Sequence, residues 1–245
     1  MCFTVSVNTT RELLEKRYGI PFTDPSHHKA GYYFNAYSLP ELQIIGSDKP
    51  DRFITAGWGL IPFWIKDKHD SEKIRVNTFN ARAETLREKP SFREPFRKRR
   101  CIIPVTGFFE WHEKDGKKYP FYITLRNTEI FSLAGIYDTW SDKVTRECLI
   151  TFSIITVRAN SVLEKIHNTK KRMPAILTPE DEKIWIDKKT PTQELAPLLK
   201  PFASDYIKAH SITPDLAKRS TDKNTPDILQ YHPFDELDKD LIINK

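Results

Sequence analysis

Cys2 has the least common chemistry open to it of any residue in the chain. It directly follows the initiator methionine, and so small a side chain permits removal of Met1, leaving an α-amine and a thiol on adjacent carbons. A free α-amine has a pKa of about 7.7–8.0, so roughly a quarter of it is neutral near pH 7.4, where a lysine amine is almost wholly protonated. Such an amine adds to an aldehyde, and the neighbouring thiol then closes a ring on the resulting imine. The plainer alternative is that Cys2 only opens an apolar run, Cys2-Phe3-Thr4-Val5-Ser6-Val7, as a buried strand residue.

Three further clusters carry groups that move protons or orient a substrate. In Thr106-Gly107-Phe108-Phe109-Glu110-Trp111-His112 a strand's two-residue period puts Phe108, Glu110 and His112 on one face and Phe109 and Trp111 on the other. Glu110 is thereby a carboxylate among rings, and burial raises such a group toward a general acid or base near neutrality; the alternative is an edge glutamate with its head in water. In Asn80-Ala81-Arg82-Ala83-Glu84 the same period projects Asn80, Arg82 and Glu84 together. An amide orients a substrate and a guanidinium suits phosphate, while the structural alternative pairs Arg82 with Glu84. The third cluster runs His167-Asn168-Thr169-Lys170-Lys171-Arg172-Met173-Pro174. There a histidine can shuttle protons or merely interact with a helix end, and the cations suit a phosphate or simply solvate a loop.

Two segments point to nucleic acid. Arg93, Arg97, Lys98, Arg99 and Arg100 make a basic run able to follow a sugar–phosphate backbone, or else a solvated helix face. Gly57-Trp58-Gly59-Leu60-Ile61-Pro62-Phe63-Trp64 reads as a stiff aromatic loop on which bases stack at about 1–3 kcal/mol each. Core filling is the alternative, stronger for Trp58 than for Trp64 at the tip.

The elements that must position these groups are legible from pattern. The 245 residues suit one domain without staples. Lys and Arg number 39 against 33 Asp and Glu, a formal charge of +6 that suits an anionic partner. Three cysteines, Cys2, Cys101 and Cys148, show no CxxC spacing, which fits a reducing compartment and argues against a Cys-rich zinc site. With no signal peptide before Cys2 and no apolar run near the ~20 residues that span a bilayer, the chain reads as a soluble cytoplasmic protein. Thr9 with Glu12 forms a capping box for a short helix stopped by Gly19; Ser161 with Glu164 caps a second that ends before His167; Thr178-Pro179 and Thr190-Pro191 with Gln193 start two more. Segments 42–46, 52–58, 100–105, 106–112, 119–125, 129–137 and 148–157 read as strands, with a further strand around 205–212, and Asp115-Gly116 signals a hairpin. Helices at the ends and between strands, without regular alternation, predict an α+β fold. The expectation is a single compact domain over 2–212, on a curved, mainly antiparallel sheet or barrel-like core with peripheral helices. A polar extension, 213–245, packs on it or trails from it.

Taken in order, Cys2, Asn35 in Phe34-Asn35-Ala36, Trp58-Gly59-Leu60-Ile61-Pro62, Asn80-Ala81-Arg82-Ala83-Glu84-Thr85, Gly107-Phe108-Phe109-Glu110-Trp111, His167 and Arg172-Met173-Pro174 resemble the SOS response-associated peptidase family, the abasic-site processing proteins. The resemblance implies a compact β-rich domain that binds single-stranded DNA and links its N-terminal cysteine covalently to the aldehyde of an abasic site. It makes Cys2 the nucleophile, Asn80 a positioning group, Glu110 the acid/base and His167 a second proton-transfer group. It makes Asn35, Trp58, Trp64, Arg82, Trp111 and Arg172 candidates for DNA contacts. Self-processing peptidase and DNA lyase activities are implied alongside; no cofactor, metal or membrane is, and the expected state is a monomer. This chain departs from the family pattern twice. Phe3-Thr4 stands where Gly-Arg usually follows the cysteine, and the stretch from His167 to Arg172 is longer than the usual His-x-Arg-Met-Pro.

Two readings from other classes compete. An N-terminal cysteine amidohydrolase also needs Cys at position 2, with the α-amine as base. It requires an oxyanion hole, for which a chain with only 8 glycines offers no glycine-rich loop; ammonia release from glutamine separates the two. A non-covalent reader of single-stranded or modified DNA would use the tryptophans and basic run with Cys2 idle, and Cys2→Ala would leave its binding intact.

Overall fold

The computed structural model describes residues 2–24, 26, 28–218, 220–237 and 241. Met1, whose removal the chemistry of Cys2 requires, lies outside the described residues, as do parts of the extension. In chain order the elements are β1 (Thr4–Val7), α1 (Arg11–Tyr18), β2 (Gly31–Asn35), β3 (Glu41–Gly46), β4 (Lys49–Trp58), α2 (Lys68–Arg75), β5 (Asn80–Arg82), α3 (Pro90–Lys98), β6 (Arg100–Val105), β7 (Gly107–Lys114), β8 (Lys117–Leu125), β9 (Phe131–Ser141), β10 (Cys148–Arg158), α4 (Ser161–Ile166), β11 (Arg172–Pro174), β12 (Ile176–Leu177), α5 (Pro179–Ile186), α6 (Thr192–Leu195) and β13 (Ile207–Ser211). This is the α+β arrangement that the pattern predicts: mainly antiparallel strands with short helices around them.

The strands form two sheets. In one, β10, β4, β3, β6 and β9 hydrogen-bond in that order and β9 pairs back onto β10, closing a five-stranded barrel. Only the contacts of β10 with β4 and with β5 are parallel. Closure removes the free edges that an open sheet would leave, and the interior is filled by side chains such as Trp58, Phe152 and Ile154, all fully buried. The second sheet runs β13-β8-β7-β1-β2. Its central hairpin, β7–β8, turns at Asp115 and Gly116 with φ of 52° and 73°. Positive φ at both turn residues matches the strand twist, which is why Asp-Gly is such a strong hairpin signal.

Several helix starts differ from expectation by one residue. Helix α1 is capped by Thr10, which accepts from Leu13 N at 3.3 Å, because Thr9 is buried and its carbonyl is taken by His28. Helix α4 is capped by Asn160, accepting from Leu163 N at 2.8 Å, with Ser161 turned to Ser204. The predicted cap at Thr190 is absent: α6 starts after Pro191 with no side-chain cap. Thr178 caps α5 as expected.

Part of the described extension lies on the outer face of the second sheet, while Phe234, Leu237 and Leu241 pack with the main core. Leu216 and Ile228 bury themselves with Phe109, Tyr122 and Ile212, and Tyr32, Tyr33 and Trp111 pack around that cluster. Asn224 accepts from Tyr32 N at 2.9 Å, tying the extension to β2. Phe108, on the opposite face of β7, belongs to the main core between sheet and barrel. Among the described residues no helix is long and apolar enough to cross a membrane.

Candidate active site

The site lies where the second sheet meets the barrel, and strand register brings its groups there. β1 runs antiparallel to β7 with Val5 opposite Phe108 and Ser6 opposite Gly107, so toward the amino terminus β1 passes along Phe109–Trp111. That places Cys2 within electrostatic reach of Glu110: the Cys2 thiol is raised well above its ordinary value, first by burial and then by the Glu110 charge. Cys2 has no exposed surface and points its Sγ back to Thr4 O at 3.8 Å.

Glu110 takes the inward face of β7, as the two-residue period requires. It is 2% exposed, and burial pushes its carboxyl from 4.5 up to about 7. His167 caps the end of α4, with its N–H on Leu163 O at 2.8 Å. Its Nδ1 lies 2.9 Å from Arg172 O and 3.4 Å from Glu110 Oε2. A carbonyl only accepts, so Nδ1 carries the hydrogen. Burial pushes His167 down to about 4, so the ring is neutral near pH 7 and its 3.4 Å contact with Glu110 is not an ion pair.

The long stretch from His167 to Arg172 is accommodated by a tight turn. Lys171 N returns to His167 O at 2.8 Å, and Lys171 takes φ of 51°. The extra residues loop outward, and Arg172 still reaches the histidine through its carbonyl. The Arg172 guanidinium is committed inside the protein, to both carboxylate oxygens of Glu84 at 2.5 and 3.0 Å and to Thr156 O at 2.5 Å. Arg172 thus holds the site wall and has no forward-facing fork. Arg82 does not pair with Glu84 as the strand alternation suggested: β5 ends at Arg82, a short helical turn carries Glu84 away, and Arg172 takes it. Arg82 itself is exposed, opposite Thr156.

Asn80 enters from the barrel side, opposite Ile154 of β10. Its Oδ1 and Nδ2 are both shielded from solvent, and neither has a hydrogen-bond partner among the described residues. Buried amides are normally satisfied, and this one is connected to the Cys2 segment by the preceding residue: the rings of Phe79 and Phe3 meet edge to face at 6.3 Å.

The remaining predicted contacts fall into two groups. Trp58 is wholly buried, stacked on Phe152 at 5.8 Å and donating its indole N–H to Phe79 O at 2.9 Å. It fills the core and offers no face to a base. Asn35 is likewise turned inward, its Oδ1 accepting from Tyr37 N at 2.9 Å and its Nδ2 directed at Thr4 Oγ1 and Tyr33 OH. Trp111 is half-buried beneath the extension. Trp64 stays 45% exposed beside Phe63 on a turn that Asp138 holds through Phe63 N at 3.1 Å. The basic run does not form the continuous patch expected of it. Arg100 is buried and donates to four carbonyls, those of Phe96, Arg97, Trp185 and Asp187; Arg99 pairs with Asp138, and Arg97 and Lys98 pair with Glu94. What sequence reasoning missed is the aromatic group at the rim, Phe3, Tyr37 and Phe79, whose only sequence signal is that two of the three adjoin Cys2 and Asn80.

The sequence profile of the SOS response associated peptidase (SRAP) family matches residues 1–219. The chain belongs to that family. Among SRAP relatives, it is 39% identical over 208 residues to the abasic site processing protein YoqW of Bacillus subtilis, covering 82% of this chain and 88% of that one. It is 33% identical over 236 residues to the abasic site processing protein HMCES of Mus musculus, covering 84% of this chain and 64% of that one. The SRAP fold seen here superposes on a crystal structure of a Bacteroides thetaiotaomicron protein with a TM-score of 0.90 and 44% identity, covering 95% of this chain and all of the other.

Proposed function

We propose that this SRAP protein captures abasic sites in single-stranded DNA by forming a covalent bond through Cys2 once Met1 has been removed. The observation that carries the reading is that buried Glu110 lies beside both Cys2 and the neutral His167, while the Asn80 amide is buried with no partner among the described residues. Relatives named as abasic site processing proteins support the same substrate.

The α-amine attacks C1′ of the ring-opened sugar, whose aldehyde oxygen takes a proton to become the carbinolamine hydroxyl. Glu110 in its acid form gives that proton, takes one from the attacking nitrogen and passes it to the hydroxyl, which leaves as water, so that a protonated imine and the Glu110 carboxylate remain. The protonated imine is attacked by the Cys2 thiol: a carbon–sulfur bond forms, the C=N bond becomes single, and the thiol proton passes to the Glu110 carboxylate. The product is a five-membered thiazolidine. Asn80 supplies a donor and an acceptor for the sugar oxygens. A role for His167 in reversal or strand elimination, and self-cleavage at Met1, belong to the same proposal.

The test mixes purified protein with a single-stranded oligonucleotide carrying one abasic site and follows a species that survives denaturation. Cys2→Ala and Cys2→Ser, which keep the α-amine and lack the thiol, lose the stable species and leave only an imine that borohydride traps. Full trapping by a protein that mass spectrometry shows to retain Met1 would overturn the reading.

A further inference from the structure

At the rim of the pocket three rings lean on one another. Phe3 and Tyr37 have centroids 5.4 Å apart, Tyr37 and Phe79 5.2 Å, and Phe3 and Phe79 6.3 Å. Phe79 is buried and forms the base of the group, while Tyr37 is 65% exposed. An aromatic ring left that far in solvent forgoes most of its burial free energy, yet this one is held rigidly. It sits on a short helical turn, Ala36–Ser38, where Ala36 N donates to Phe3 O at 2.8 Å and Tyr37 N to Asn35 Oδ1 at 2.9 Å. Ser38 Oγ donates to Asn35 O at 2.7 Å, and Leu39, at φ of 53°, closes the turn on Ala36 O. The turn is therefore fastened to the backbone of the residue that follows Cys2.

We infer that Tyr37, braced by Phe3, is a stacking surface for the nucleobase adjoining the captured sugar. This rests on the reading of Cys2 as the capturing residue. Two covalent links fix the position of the surface: Phe3 follows Cys2, whose amine attacks the sugar, and Phe79 precedes Asn80, whose amide is buried with no partner among the described residues. A nucleotide tethered at Cys2 presents its neighbour's base toward this braced aromatic group, whose most exposed ring is Tyr37. Base–aromatic stacking accepts any base, so the surface selects for a base beside the lesion and is indifferent to which one it is. Asn35 contributes by holding the turn; its amide is spent on Tyr37 N, Thr4 and Tyr33, so it is a positioning residue for the ring.

The experiment compares single-stranded oligonucleotides with one abasic site whose neighbours either carry bases or, on one flank at a time, are tetrahydrofuran residues, which have no base and no aldehyde. With the wild-type protein, removing the base on one of the two flanks raises the concentration for half-maximal capture by about 5- to 150-fold, the range that about 1–3 kcal/mol of stacking gives; the maximal rate is unchanged. Tyr37→Ala loses that preference and Tyr37→Phe keeps it. If Tyr37→Ala captures base-flanked DNA as tightly as wild type, or weakens both substrates equally, the inference is overturned. A second measurement separates this from a failure of the Cys2 chemistry. 2-Aminopurine placed beside a tetrahydrofuran site, which forms no covalent bond, is quenched on binding wild type and not on binding Tyr37→Ala, whether or not any adduct ever forms.

Discussion

Replacing Glu110 by Gln tests whether burial of this carboxyl serves chemistry at the expense of stability. In the folded protein Glu110 titrates at about 7, against 4.5 for an ordinary glutamate, a difference of about 3 kcal/mol at 1.36 kcal/mol per pH unit. The sign follows from proton counting. Between those two pH values the folded chain binds more protons than the unfolded one, so stability falls as pH rises through the window. Below it both states are protonated and there is no penalty; above it the whole penalty is present. Glutamine keeps the shape but never ionises. Glu110→Gln should therefore match wild type in urea unfolding at pH 4 and exceed it by up to about 3 kcal/mol at pH 8, an upper bound because water and side-chain relaxation soften the desolvation of the charge. The same variant should slow adduct formation by about a hundredfold or more, the usual contribution of a positioned acid/base. It should also lose any limb of the wild-type pH–rate profile near pH 7. A variant less stable than wild type at pH 8, or one that captures DNA within about threefold of the wild-type rate, refutes the reasoning.

Two further expectations concern the scaffold. Gly59 has φ of 101°, and a Cβ there would lie 2.7 Å from the Arg75 carbonyl oxygen and 2.6 Å from its Cγ, whereas Gly116, at φ of 73°, has nothing within 4 Å. Gly116→Ala should cost about 1–2 kcal/mol in urea unfolding from backbone strain alone, and Gly59→Ala about 1–3 kcal/mol more from the clash. Arg100→Met should lower stability by about 3 kcal/mol or more, because four carbonyls lose their buried donor. The salt dependence of DNA capture should stay unchanged, since this guanidinium faces the interior.

The strands were legible because their signals are local. β-branched and aromatic runs bounded by turn residues marked β3, β4 and β6 to β10, and Asp115-Gly116 gave the hairpin together with its register. Helix α2, Lys-His-Asp-Ser-Glu-Lys-Ile-Arg, was not legible: it has a single large apolar residue and no stripe, and it is held by its Asp67 cap and by what it abuts. β5, β11 and β12 are two or three residues long and exist only as partners of β9 and β10, so no window of sequence announces them. The same distinction divides the site. The inward face of Glu110 follows from a period of two, but the partner of Glu84 does not, because Arg172 is 88 positions away and pairing at that distance is decided by how β10 and β11 close. Trp58 and Arg100 show the reverse error. Residue types suited to DNA were absorbed by the interior, where an indole N–H and a guanidinium each found backbone carbonyls to satisfy them.

Burial also sets the order of the proposed steps. It moves three groups in the direction of their neutral forms: the Cys2 thiol upward, the Glu110 carboxyl upward and the His167 imidazole downward. A thiol raised that far, beside a carboxylate that opposes its ionisation, is a poor nucleophile as the pocket stands. The α-amine is the stronger candidate for the first attack, because it needs only to be neutral, and a weakly charged, poorly solvated pocket favours the neutral amine. Once water has left, the protonated imine is a cation within one ring's breadth of sulfur, and a nearby positive charge lowers a thiol's pKa. The thiol is thus activated by the product of the amine's attack and only where that product exists. A surface-exposed N-terminal cysteine, with its thiolate already populated at neutral pH, would react with passing electrophiles; here sulfur is held in reserve until an aldehyde has been captured beside it.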